Sequence, residues 1–137
     1  MGTTYNYGSR DAKLATLAAA KTVTADETGT TFILDAAAGY TVTLPALAPG
    51  LNFKFIVGAL FAGSDWTIAS SEGDNINGIL LVNGASVAAV GEDNVIFELG
   101  AEAIGDYVEF ICDFGNTQWI VNGVGAAVAS MTTTDPA

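Results

Sequence analysis

Three carboxylates on neighbouring predicted strands, Glu98, Glu109 and Asp113, come nearest to a catalytic arrangement in this 137-residue chain. A pair of carboxyl groups could work as acid and base, or acid and nucleophile, on a glycosidic bond at separations of about 5 to 9.5 Å. Glu109 and Asp113 share a strand face but stand roughly 13 Å apart at the usual rise per residue, too far for either geometry. They read as a solvated polar face. The chain has no histidine, which removes Ser-His and Cys-His nucleophile systems and His-ligated metal sites. Cys112 is the sole cysteine; it can form no intrachain disulfide, lacks the cationic neighbours that make a thiolate, and reads as a small core residue. The segment "EGDNING" (72–78) is rich in oxygen ligands, but Ile76 stands where a calcium loop needs one and no distal Glu closes the loop. Gly123 and Gly125 precede no helix that would present its N-terminus to a phosphate. The expectation is therefore no catalytic residue, no metal, no cofactor and no enzyme.

Trp66 and Trp119 could serve as stacking platforms for a sugar ring. Both occupy alternating positions inside strand-like runs, which favours packing in the core or at a subunit interface.

The elements that would position these residues read as strands. "TTFILD", "TVTL", "LNFKFIV", "DWTIAS", "ILLV", "NVIFEL", "DYVEFICD" and "QWIVNGV" alternate with period two or form short apolar runs, and turn signals separate them. Phe53, Phe55 and Val57 face inward with Lys54 outward; Val108, Phe110 and Cys112 share one face and Tyr107, Glu109, Ile111 and Asp113 the other. "PALAPG" makes a hairpin or a corner between sheets, and the Asn-Gly pairs at 77–78 and 83–84 supply positive φ for tight turns. About eight short strands without a convincing helix after residue 25 predict an all-β fold, an antiparallel β-sandwich or barrel. The division is an N-terminal arm (1–24), a β domain (25–126) and a polar C-terminal tail (127–137). Within the arm, Asp11 to Lys21 could form a short helix capped by Ser9, with Leu14 and Leu17 on one face, and an extended form is a close alternative.

Half of the residues are hydrophobic and 14% charged, at a net charge of −11. An apolar surplus in so short a chain is hard to bury in a monomer and predicts self-association. Four cations are too few for a nucleic-acid partner. No apolar run approaches the ~18 residues of a membrane helix, and "KLATLAAAK" is too short and interrupted for a signal peptide. The first 21 residues carry three of the four cations against one carboxylate, whereas the remainder carries one cation against fourteen. Such an arm suits an acidic surface, a neighbouring copy included.

Taken together, "GYTVTLPALAPGLNFKFIVG", "WTIASSEGDNINGILL" and "GDYVEFICDFGNTQWIVNG" resemble small virion proteins of tailed bacteriophages, notably cyanophages and other marine phages, of the capsid decoration or cement type. The likeness covers Thr30 to Val124, and its motifs are structural. It implies a homotrimer on the outer surface of the capsid, holding neighbouring major capsid proteins together, with a terminal arm as clamp. The arm residues expected to touch the capsid are Tyr5, Tyr7, Arg10, Lys13, Leu14, Leu17 and Lys21, as aromatic anchors, positive charges and an apolar stripe. The alternative is a β module of a phage head or tail fibre that binds host glycan through Trp66, Trp119 and loop residues such as Asn77.

Overall fold

The computed structural model describes residues 13–136. Within them lie twelve strands and two short 3-10 turns: β1 (Lys13–Leu17), β2 (Lys21–Thr22), β3 (Thr30–Leu34), β4 (Thr41–Thr43), β5 (Asn52–Val57), β6 (Trp66–Ala69), β7 (Ile76–Val82), β8 (Ala85–Glu92), β9 (Asn94–Phe97), β10 (Tyr107–Asp113), β11 (Gln118–Gly125) and β12 (Met131–Thr134). The fold is all-β. One sheet runs β1-β3-β5-β10-β11-β7-β8 and the other β12-β9-β6-β4-β2. Neither closes into a barrel.

The sheets are mixed rather than antiparallel, which corrects the expected pairing. β1 to β6 alternate between the two sheets, and each strand pairs parallel with the one two places earlier. A parallel pair needs a crossover connection; here a strand of the opposite sheet supplies it, so residues 13–69 wind as a coil. The "PALAPG" segment is accordingly a corner between sheets. The later strands then pair antiparallel onto this coil, β10 on β5 and β9 on β6. β11 pairs antiparallel with β10 and parallel with β7. Evenly spaced strands look alike in sequence whether they return beside each other or cross to a second layer.

Four strands lie outside the eight runs read as strands, and the first takes the extended alternative for the arm. The helix offered over 11–21 is replaced by β1 from Lys13, which pairs with β3 over five residues. A spacing of three that puts Leu14 and Leu17 together on a helix puts them on opposite faces of a strand, and Leu14 is exposed while Leu17 is buried. β2 is a second, two-residue edge strand. β8 carries a weak strand signal, because "ASVAAVGE" has small side chains and little contrast. The segment read as a polar tail contains β12, whose Met131 is fully buried.

Asn83–Gly84 forms the β7–β8 turn, with both residues at positive φ. Asn77–Gly78 does not turn the chain. It lies inside β7, where strand β11 comes so close that a Cβ on Gly78 would stand 1.9 Å from the Val121 carbonyl oxygen.

The inward residues of both sheets form one core cluster. Phe32 stacks on Phe55 at 5.3 Å between ring centres, and Phe110 meets Phe55 and Trp119 edge-on at 5.9 and 6.3 Å. Trp66 and Trp119 are both fully buried.

Candidate functional site

Two of the three carboxylates singled out for chemistry, Glu98 and Asp113, accept structural hydrogen bonds. Glu98 accepts a hydrogen bond from the Thr132 hydroxyl. Asp113 accepts from the Asn116 and Gln118 side chains at 2.7 and 3.0 Å, and those two bonds, Asn116 first, hold its carboxyl below the usual range. Glu109 faces Asn122 and Lys54 across the sheet. Burial pushes the Cys112 thiol up, which opposes thiolate chemistry.

Much of the chain's acidity serves the same purpose. Leu47, Phe61 and Leu99 donate backbone N–H bonds to Glu72, Glu102 and Asp65 at 2.9, 2.7 and 2.7 Å. Asp106 is itself buried, and its two oxygens accept from Ala103 N at 2.9 Å and Ala126 N at 3.0 Å. Charge-assisted bonds of this kind satisfy loop donors that have no sheet partner. The sequence shows the carboxylates but not the distant loops they reach.

Among the described residues, Asp74, Asp93 and Asp135 could hold a metal ion, with carboxylate oxygens within 4.8 Å of one another. Such hard oxygen ligands suit Ca²⁺. The 72–78 loop supplies only Asp74; the others arrive from the β8–β9 junction and from just beyond β12, a gathering no local spacing could reveal. Asp93 Oδ1 accepts from Asp74 N at 2.5 Å. The neighbouring negative charges, Asp135 first and Asp93 second, raise the Asp74 pKa above its ordinary value.

Of the expected capsid-contact residues, Tyr5, Tyr7 and Arg10 lie outside the described residues. Lys13 Nζ donates to the Thr28 carbonyl at 2.7 Å, and Lys21 pairs with Glu27 at 3.0 Å. Leu17 belongs to the core, which removes it from a contact stripe; Leu14 is exposed. The structure therefore does not bring Leu14 and Leu17 together on one surface.

It does assemble a broad apolar surface that the individual strands did not announce. Leu14, Ile79, Leu81, Ile111, Ile120 and Val124 are exposed on the outer side of the seven-stranded sheet, and Val90 extends the surface onto the edge strand β8. The pairing register makes them neighbours: Ile111 lies opposite Ile120, and Val124 opposite Leu81. Lys54 and Glu109, also opposite each other, are the charged pair near the middle of the face, and Lys54 Nζ sits 4.5 Å from the centre of the Tyr107 ring. The outer side of the five-stranded sheet differs: Thr41, Thr67, Ile96 and Thr132 form one cross-strand row, and Thr43, Ala69, Asn94 and Thr134 the next.

No helix among the described residues is long and apolar enough to cross a membrane. Comparison of the chain with protein-family models, curated proteins and solved structures finds no match.

Proposed function

We propose that this chain is a capsid decoration, or cement, protein of a tailed phage: a non-catalytic homotrimer on the outer surface of the head that strengthens contacts between major capsid proteins. The observation that carries this reading is the broad, exposed apolar face on an otherwise well-packed all-β body. Monomeric proteins rarely expose contiguous apolar surface on this scale, and such surface marks interaction sites. The resemblance of residues 30–124 to phage virion proteins supplies the partner.

The mechanism is linkage. A ligand that binds the assembled shell and not its separated subunits stabilises the shell by mass action. Three copies held together multiply weak individual contacts into avidity. Carboxylates that pin loops to the body keep the presented surfaces in one conformation, which lowers the entropy cost of docking.

The glycan-binding alternative loses its support. Both tryptophans that would stack on a sugar are fully buried, and Asn77 Oδ1 accepts a bond from Gly91 N at 2.8 Å. The test is cosedimentation with undecorated tailed-phage heads. Saturable binding in multiples of three, with a higher temperature of DNA release, is expected; failure to cosediment at micromolar protein would remove the proposal.

A further inference from the structure

We infer that the outer face of the seven-stranded sheet is where this chain meets further copies of itself. The inference rests on the reading that the chain self-associates, and adds the surface that does it.

Electrostatics selects the occupant. Two copies of a protein with net charge −11 repel each other over most orientations. On this face the charged residues among the cross-strand neighbours of β5, β10, β11 and β7 are Lys54, Glu109 and Asp113, one cation against two carboxylates. The face carries one net negative charge, 1 − 2, within a molecule of net charge −11. Identical chains meet less like-charge repulsion there than an even spread of the chain's charge would give, and Lys54 Nζ lies 4.5 Å from the centre of the Tyr107 ring on the same face.

The size is consistent with such a contact. At usual strand spacing and rise the face measures ~29 by ~16 Å, so two faces together cover ~900 Å² and three around a common axis ~1,400 Å². A face-to-face pair lies near the lower limit of a specific interface, about 1,000 Å², and the area of three converging faces is shared among three contacts. Aliphatic side chains, Ile111 and Ile120 on one side and Val124 and Leu81 on the other, flank the central Lys54 and Glu109, whose opposite charges supply a polar feature that fixes register. The threonine-rich outer face of the five-stranded sheet offers no comparable apolar centre.

The deciding experiment is sedimentation velocity over a concentration series with the full chain, the I79K/I120K double variant, the single variant Val90→Lys and the off-face control Leu60→Lys. Ile79, Ile120 and Val90 are 59%, 41% and 75% exposed, so these substitutions leave the core intact. Far-UV circular dichroism confirms folding, and the edge-strand variant stands in should the double variant misfold. The inference predicts an oligomer for the full chain and the control, with association weakened about thirtyfold or more in the double variant. An unchanged oligomer in both face variants would overturn the face assignment while leaving self-association and the decoration reading intact. A full chain that stays monomeric throughout would overturn the inference together with the homotrimer on which it rests. Dissociation of the Leu60→Lys control to the same extent would also overturn it, since the effect would then follow added charge rather than position.

Discussion

The two sheets share one core yet present opposite outer surfaces. The inward rows of both are aromatic and aliphatic, as a common interior demands. Outward, the five-stranded sheet places Thr41, Thr43, Thr67, Thr132 and Thr134, β-formers with a hydroxyl for water. The seven-stranded sheet places Ile79, Leu81, Ile111, Ile120 and Val124 in the corresponding positions. The same backbone geometry thus carries threonine hydroxyls on one side and aliphatic side chains on the other. Strand formation dictates that alternate residues face outward; it does not dictate that they be apolar.

The inner surface should be indifferent to this distinction. Phe110→Ala, which empties a site packed against Phe55 and Trp119, is expected to cost about 3 to 5 kcal/mol in urea denaturation. A loss below 1 kcal/mol would mean that the two sheets do not share a tightly packed interior.

Asp106→Ala comes next. It strands the Ala103 and Ala126 N–H groups that hold the ends of β10 and β11, and a loss of about 1 to 3 kcal/mol is expected. Asp106→Asn, which retains one acceptor, should recover part of it.

The sharpest contrast comes from exchanging the outer surfaces. Thr67→Val and Ile120→Thr should each change unfolding free energy by less than about 0.5 kcal/mol when measured on monomer. Only Ile120→Thr should weaken association in sedimentation. Equal behaviour of the two variants would erase the difference between the faces.

The smallest effect concerns the carboxylate cluster of Asp74, Asp93 and Asp135. Asp74 has a folded-state pKa raised above its ordinary value because Asp135 and Asp93 repel its charge. The folded protein then binds this proton more tightly than the unfolded chain, so the repulsion is present at neutral pH and is relieved as pH falls through the raised value. Asp74→Asn should therefore raise Tm slightly at pH 7 and leave it unchanged near pH 3.5. A Tm gain of the same size at both values would exclude charge repulsion as its cause.

The inner half of this comparison was legible in the sequence and the outer half was not. Period-two runs placed Phe53, Phe55, Val57, Val108 and Phe110 correctly inward and Lys54 and Glu109 outward, because a buried face enforces alternation. Strands with little contrast, "KLATL", "ASVAAVGE" and "MTTT", passed as arm, loop and tail. The apolar excess was visible in composition, but its location depends on which strands lie side by side. Ile79, Ile111 and Ile120 become neighbours only through the β10–β11 hairpin and the parallel β11–β7 pairing. Gly78 looked like turn chemistry for the same reason: the demand for a missing side chain comes from Val121, far along the chain.

The account stands most directly on the mass of the full chain in solution, measured by light scattering coupled to size exclusion across a hundredfold range of concentration. It predicts a species of three times 13.9 kDa that dissociates on dilution. A single species of 13.9 kDa at every concentration would contradict it.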